Sequence, residues 1–357
     1  LAILGSGRRA RFFLRLAEAL PEQLRVVGVV ARRPAAAAQL TAETGVRTFS
    51  TLDELLSREA PDFVASLVSP AAMPDAVRDL VARGVPVLAE TPPAPDEDSL
   101  RSLWADVGSS GLVQVNEQYL LMPTHAARLT VLRRGVIGEV TSVQVSSTHL
   151  YHAVSLMRGY LDARFEGTTV QARSFVAPLA DPLGFDGWSG DATPRPATTT
   201  IATIDFGPKM GLYDFTDNQW WNPLRSPRLV VRGSTGELVD DRIVRLVDPT
   251  TPVESRFLRR QTGVDLDLEH LDLREISFDG EVVYRNPFSG AARSDDDIAV
   301  ADLLARTGSW ARGEASAPYP LADACQDQLI ALAVARSART GEPVTTGVEG
   351  WTDTVGH

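Results

Sequence analysis

The chain opens on Leu1-Ala-Ile-Leu-Gly-Ser-Gly-Arg-Arg-Ala10: a short apolar run, then Gly5-x-Gly7-x-x-Ala10, then an amphipathic segment with Phe13, Leu16, Ala17 and Leu20 on one face. No other stretch restricts the fold so tightly. Gly5 permits a tight turn between strand and helix. Gly7 has no Cβ and lets the backbone approach a pyrophosphate, and Ala10 is small enough for the helix to pack on the strand. The helix N-terminus adds N–H donors and a partial positive charge. The stretch predicts a dinucleotide site, with Gly5, Ser6, Gly7, Arg8 and Arg9 around the pyrophosphate. Its rival is an empty structural turn, because a glycine turn between any strand and helix can match the spacing.

Strand and helix signals go on alternating to residue 118. Arg25 to Ala31 (Arg-Val-Val-Gly-Val-Val-Ala) reads as a strand buried on both faces. Thr51-Leu-Asp-Glu54 is a capping box opening a helix with Leu52, Leu55 and Leu56 inward. Strands follow at 63–68, 85–90 and 112–115, and helices at 75–84 and 96–107. This alternation predicts a parallel, doubly wound sheet with ligands at the carboxyl ends of its strands. An acid at the end of the second strand would hold the ribose 2′-hydroxyl of NAD. Ala31 stands there, followed by Arg32 and Arg33. A missing carboxylate beside guanidinium groups suits a 2′-phosphate, so NADP is favoured over NAD. The other reading makes Arg32 and Arg33 solvated loop charges.

At 357 residues, 44% hydrophobic and 23% charged, the chain is long enough for two domains with substantial cores. A net charge of −11 argues against nucleic acid or an anionic membrane as partner. No apolar run approaches the roughly 18 residues of a membrane span, and no signal peptide precedes the first strand. Cys325 is the only cysteine, so no internal disulfide is expected. Together these lead to the expectation of a cytoplasmic protein.

Further motifs come in a definite order. Ser69-Pro70, Glu90-x-Pro92, Glu117-Gln118-Tyr119 ahead of Pro123 and Gly138-Glu139-Val140 precede His152, which opens a helix carrying Arg158 and Tyr160. Tyr319-Pro-Leu-Ala-Asp-Ala-Cys-Gln-Asp327 and Arg339-Thr-Gly-Glu-Pro-Val344 close the chain. With Gly5-Ser6-Gly7 and Thr51 to Leu56, the ordered set resembles the glucose–fructose oxidoreductase/inositol dehydrogenase (Gfo/Idh/MocA) family over nearly the whole length. The resemblance implies a nicotinamide-dependent oxidoreductase acting mostly on sugars, polyols and related compounds. It places Ser69, Pro70, Glu90, Thr91 and Gln118 on the nicotinamide side and His152 at the reacting oxygen, with no metal.

Two departures touch the chemistry. The lysine of the family's Glu-Lys-Pro is Thr91 here, and the aspartate four residues before its histidine is Thr148. The only lysine, Lys209, falls in a predicted hairpin remote in sequence. Oxidising an alcohol needs a group that takes the hydroxyl proton as hydride leaves carbon. Threonine cannot do this; histidine can. His152 is the first candidate, with His149 and Tyr151 beside it and Tyr119 offering a hydroxyl near the nicotinamide. The alternative for the histidines is two strand-end residues with ordinary structural hydrogen bonds.

From residue 119 to 357 a second domain is expected. Helices are predicted over 123–134, 153–161, 295–310 and 321–339. Strands are predicted over 139–149, 169–175, 199–206, 210–216, 228–232, 242–247, 273–278 and 281–285. The expected fold is α/β: an N-terminal doubly wound Rossmann domain (1–118) and a C-terminal α+β domain with a large, mostly antiparallel open sheet. One face of that sheet would meet helices and the other a partner subunit, in a homodimer or homotetramer. Asn218-Gln-Trp-Trp-Asn222 is the most carbohydrate-like segment, since aromatic faces cover a sugar's C–H face while amides bond its hydroxyls. Trp220, Trp221, Asn222 and Thr148 are therefore substrate candidates; a Trp pair in a strand is otherwise packing or interface. The reading is an NAD(P)-dependent oxidoreductase on a sugar-like alcohol or ketone. Its rivals are an NAD-dependent glycosidase that oxidises, eliminates and reduces again, and a dinucleotide-binding protein with impaired catalysis.

Overall fold

A computed structural model describes residues 1–184, 186–263, 271–291 and 293–352. The N-terminal part alternates β1 (Ala2–Leu4), α1 (Arg8–Ala19), β2 (Gly28–Val30), α2 (Pro34–Thr44), β3 (Thr48–Phe49) and α3 (Leu52–Arg58). It continues with β4 (Val64–Ser66), α4 (Met73–Ala82), β5 (Val87–Ala89), α5 (Glu97–Val107) and β6 (Val113–Val115). The six strands are parallel in the order β3-β2-β1-β4-β5-β6. Each paired strand is short and almost wholly buried, as a sheet covered by helices on both faces requires. The order reverses between β1 and β4, so the loops after these strands diverge and leave a crevice. Gly5-Ser6-Gly7 and Ser69-Pro70 occupy those two loops.

The predicted capping box at α3 is half right. Thr51 accepts from the Glu54 amide at 3.1 Å, but the Glu54 carboxylate reaches back to the Ser50 amide and hydroxyl.

The remainder runs α6 (Pro123–Leu132), β7 (Val140–Ser146), α7 (Leu150–Leu161), β8 (Thr169–Leu179), β9 (Leu183–Gly184), β10 (Gly187–Trp188), β11 (Arg195–Asp205) and β12 (Met210–Thr216). Then come β13 (Arg228–Gly233), β14 (Gly236–Val239), β15 (Arg242–Asp248), β16 (Thr251–Arg256), β17 (Leu258–Thr262), β18 (Asp272–Phe278) and β19 (Glu281–Arg285). The chain closes with α8 (Asp295–Ala311), α9 (Leu321–Thr340) and β20 (Val344–Thr345). Nine strands form one sheet in the order β16-β15-β14-β13-β7-β12-β11-β8-β20, antiparallel except for the β7–β12 pair. Contrary to expectation, β18 and β19 leave this sheet and join β17 in a separate three-stranded sheet, packed on α6.

The two faces of the main sheet differ. Val170, Ala172, Ala202, Ile204, Tyr213 and Phe215 alternate along β8, β11 and β12 toward the helices and are buried. Ser337 on α9 accepts from the Ala172 amide, and Gly211 lies so close to α7 that a Cβ would stand 2.9 Å from the Met157 sulfur. Phe175, Ile201 and Met210 sit on the opposite face, 52%, 49% and 36% exposed.

α9 also ties the sheets together. Arg158 on α7 donates to Asp327 at 2.7 Å and to Asp323 at 3.0 Å, and the Tyr319 hydroxyl closes the cluster on Asp327 and Ser155. Burial raises Asp327 to about 7 against the pull of Arg158. Backbone of Tyr319 pairs with Val115, and Gln328 reaches the Ala94 carbonyl. Through this clamp α7, and hence His152, is fixed relative to the N-terminal sheet. Among the described residues no helix is long and apolar enough to cross a membrane.

Candidate active site

The crevice begins where β1 ends. Gly5 donates to the Val30 carbonyl and takes φ +121°, and a Cβ on it would stand 2.5 Å from the Leu67 carbonyl oxygen. Only glycine lets the β1 and β4 loops approach so closely. Gly7 differs: it N-caps α1 with no side-chain cap, and a Cβ there would meet nothing within 4 Å. That space is protein-free, and the uncapped first turn of α1 supplies donors for an anion. Ala10, in the first turn of α1, is fully buried. The loop therefore fits a dinucleotide pyrophosphate.

Arg9 turns away from that loop. Its Nε donates to Glu90 at 2.8 Å, and its guanidinium lies over the Phe12 and Phe13 rings. Glu90 also accepts from Asn116 at 3.1 Å and, through its other oxygen, from the Thr91 amide and hydroxyl. The expected pyrophosphate ligand is instead a brace between α1 and the ends of β5 and β6. Arg32 and Arg33 are exposed just after buried Ala31, at the end of β2. Ser69 and Pro70 are exposed in the loop after β4.

The second half of the site gathers at the start of α7. The strand expected to reach residue 149 stops at Ser146, and His149 is the N-cap of α7, so His149, Tyr151 and His152 lie at a helix start rather than a strand end. His152 Nδ1 stands 2.5 Å from Glu117 Oε2. The other Glu117 oxygen accepts from the Tyr119 amide at 3.1 Å. The Glu117 side chain is wholly buried, whereas that of His152 is 13% exposed, so the imidazole is the reachable partner. Burial depresses the basicity of His152, but the charge and hydrogen bond of Glu117, helped by the charge of Glu90, outweigh it and raise the pKa above 6.5.

Tyr119 lies against His152 with ring centroids 4.6 Å apart, and its hydroxyl accepts from Thr148 at 2.9 Å. Burial raises the phenol to about 12, opposed by that bond. Thr148 is fully buried and engaged with Tyr119, which corrects its assignment to substrate. Tyr151 is also buried, its hydroxyl without a partner among the described residues, and burial together with neighbouring Tyr319, Asp327 and Glu117 raises the phenol well above its ordinary value. Gln118 donates to Asp296 on α8.

On the far side of His152, His149 lies 5.1 Å away ring to ring, then Trp220 at 5.2 Å from His149. Trp220 stacks on Phe215 at 5.2 Å and meets Trp221 edge-on. The Trp pair sits in the turn after β12, not in a strand. Asn222 is not available to substrate: its amide donates to Ala180 and Asp181, and its oxygen accepts from Leu224. Lys209 binds the Leu161 carbonyl from the β11–β12 hairpin. The residue that sequence reasoning passed over is Glu117. Its signal was present, a carboxylate just past the end of a buried strand, where doubly wound sheets bind ligands.

Residues 1–117 match the family model GFO_IDH_MocA, described as an oxidoreductase family with an NAD-binding Rossmann fold. No curated protein matches the sequence. Solved structures with the same fold over the whole chain include an oxidoreductase domain protein from Kribbella flavida, at 16% identity and TM-score 0.69, covering 96% of this chain and 98% of that one. A levoglucosan dehydrogenase, solved with NADH and levoglucosan, aligns at 15% identity and TM-score 0.67 over 97% and 98% of the two chains. A myo-inositol dehydrogenase from Corynebacterium glutamicum aligns at 18% identity and TM-score 0.65 over 97% and 98%. Over residues 1–117 the chain thus matches the NAD-binding domain of the Gfo/Idh/MocA oxidoreductase family, and the solved structures extend the likeness in fold to the rest of the chain.

Proposed function

We propose that the chain is an NAD(P)-dependent oxidoreductase that interconverts a carbohydrate-like alcohol and its ketone, with residues 1–118 serving the cofactor and 119–357 the substrate. The observation that carries this reading is the His152–Glu117 pair beside the nucleotide crevice. A bound nicotinamide would supply the hydride chemistry; the chain's own residues must manage the proton. An ionised carboxylate only accepts hydrogen bonds, so Glu117 keeps the proton of neutral His152 on Nδ1 and leaves Nε2 as the base. Nε2 takes the hydroxyl proton in oxidation and returns it in reduction, while Glu117 stabilises the imidazolium between. Tyr119 accepts from Thr148 and stays protonated, so its own O–H is left to orient the substrate oxygen.

The sugar-like substrate class is supported by the levoglucosan and myo-inositol dehydrogenases that share the fold. Exposed Arg32 and Arg33 after Ala31 favour NADP over NAD. The outer sheet face with Phe175, Ile201 and Met210 supports a homodimer or homotetramer; Trp220 does not belong to that face, because it stacks on helix-side Phe215. The test is His152→Asn. Its turnover should fall about 10²–10⁴-fold, the usual worth of a positioned acid–base group, with nucleotide affinity changed only a few-fold. Near-wild-type turnover would move proton transfer to Tyr119. Cleavage of glycosides without net formation of reduced nucleotide would favour the redox glycosidase instead.

A further inference from the structure

The line of rings that starts at His152 leads out of the reaction centre. His149 is a shared wall, with His152 on one side and Trp220 on the other. Beyond it lies a cavity of about 570 Å³ whose lining includes His149, Phe215, Trp220, Thr200, Asp217 and Arg339, but none of Glu117, Tyr119 or His152. We infer that this cavity is a second sugar subsite, which holds a pyranose ring glycosidically linked to the ring that reacts at His152. The inference rests on the proposed function for the identity of the reacting ring.

The chemistry of the walls selects the occupant. Trp220 is 41% exposed although its indole is stacked on Phe215, so one large apolar surface is left open and rimmed by polar groups. Asp217 accepts one backbone bond, from Thr198, and keeps further acceptor capacity. Arg339, in the last turn of α9, forms no ion pair among the described residues. Thr200 contributes a hydroxyl paired with Ser174 at 2.7 Å. Burial and the charge of His152 hold His149 near 4, so it enters as a neutral ring. A pyranose offers an apolar C–H face to Trp220 and hydroxyls to Asp217, Arg339 and Thr200. An aryl aglycone would stack equally well but leave those polar groups unmatched, and the opposed charges of Asp217 and Arg339 give an anion no net attraction.

The experiment compares matched ligands on the NADP-loaded full chain: glucose with cellobiose, galactose with galactobiose, mannose with mannobiose, and 4-nitrophenyl glucoside. Binding is read by tryptophan fluorescence and calorimetry, and oxidation by formation of reduced nucleotide. At least one disaccharide should bind about tenfold more tightly than its monosaccharide, the scale of one aromatic contact, and more tightly than the aryl glucoside. Trp220→Ala should erase that difference while leaving monosaccharide affinity within twofold. Arg339→Gln, on an exposed helix end that can bear the change without unfolding, should reduce it about threefold or more. Equal affinity within every pair, no saturable binding in any, or preference for the aryl glucoside would overturn the subsite. Disaccharide preference without any oxidation would keep the subsite and refute the dehydrogenase reading.

Discussion

Glu117→Gln tests the proton-transfer site with the smallest change in shape. The carboxylate makes two bonds, 3.1 Å to the Tyr119 amide and 2.5 Å to His152. Glutamine can keep the first through its oxygen but must then present its NH₂ to the imidazole. An NH₂ donates, so Nδ1 must become the acceptor and the ring proton moves to Nε2. The base is thereby removed from the atom that needs it. Any imidazolium that still forms lacks a charge-assisted bond worth about 1.5–3 kcal/mol. Together these should lower kcat for oxidation by about 10²–10⁴-fold, or roughly 3–5 kcal/mol of activation free energy. The pH profile gives a second readout. Oxidation requires neutral His152, so the rate rises through its pKa, which in the wild type stands above 6.5 because Glu117, helped by Glu90, outweighs burial. With the Glu117 carboxylate gone, burial, the largest influence, is opposed only by the charge of Glu90, itself countered by Arg9, and the inflection should move down. Nitrogen NMR of the imidazole reports tautomer and titration without a substrate. A variant with kcat within threefold of wild type, an unmoved inflection and an Nδ1-protonated ring would refute the dyad.

Three other outcomes check the surrounding assignments. Gly7→Ala should fold normally, because a Cβ there meets no protein atom, yet lose nucleotide binding; calorimetry showing unchanged NADP and NAD affinity would remove the pyrophosphate from this loop. Arg32→Ala should weaken NADP by about tenfold while sparing NAD, since only NADP carries the 2′-phosphate with which the guanidinium would form a charge-assisted bond; equal weakening of both would make Arg32 structural. Light scattering at micromolar concentration should show a dimer or tetramer, and Ile201→Arg on the exposed sheet face should shift it toward monomer, whereas a monomeric wild type would leave that face solvent-facing.

Much of the fold is legible because its signals are local. A buried parallel strand followed by a glycine turn and an amphipathic helix can be read from ten residues, and β1 through α1 follow that reading. The Ser294–Asp297 capping box at α8 is likewise visible in four residues. Sequence and structure part where neighbours decide. A run such as 272–285 is a hairpin in any reading, but whether it joins the main sheet depends on β17 and α6, which no property of the hairpin encodes. The end of β7 is hidden for a similar reason. Thr148 and His149 would extend a strand by propensity, yet Thr148 is drawn to Tyr119 and the Leu150 amide to the Tyr213 hydroxyl, so the chain turns into α7 early.

The site shows the same limit more sharply. Read along the chain, Thr148 marks a missing carboxylate, and nothing four residues from His152 replaces it. In space, Glu117 supplies a carboxylate at 2.5 Å from the imidazole, although 35 positions separate the two residues. The replacement is possible because Glu117 follows β6 while His152 opens α7, and the segment leading into α9 links both: Tyr319 pairs with Val115 on one side and, through Asp327 of α9, reaches Arg158 of α7 on the other. Thr148 then takes a different task, fixing the Tyr119 hydroxyl that packs beside the same histidine. What reads in sequence as a damaging substitution at Thr148 is, once folded, a redistribution. The orienting carboxylate comes from the N-terminal sheet, and the threonine at its former place steadies a phenol. No lysine stands in for the one replaced by Thr91, because the chain's only lysine, Lys209, is held at the Leu161 carbonyl. The whole of the proton chemistry in this reading therefore falls on one imidazole, which is why a single isosteric change at Glu117 suffices to test it.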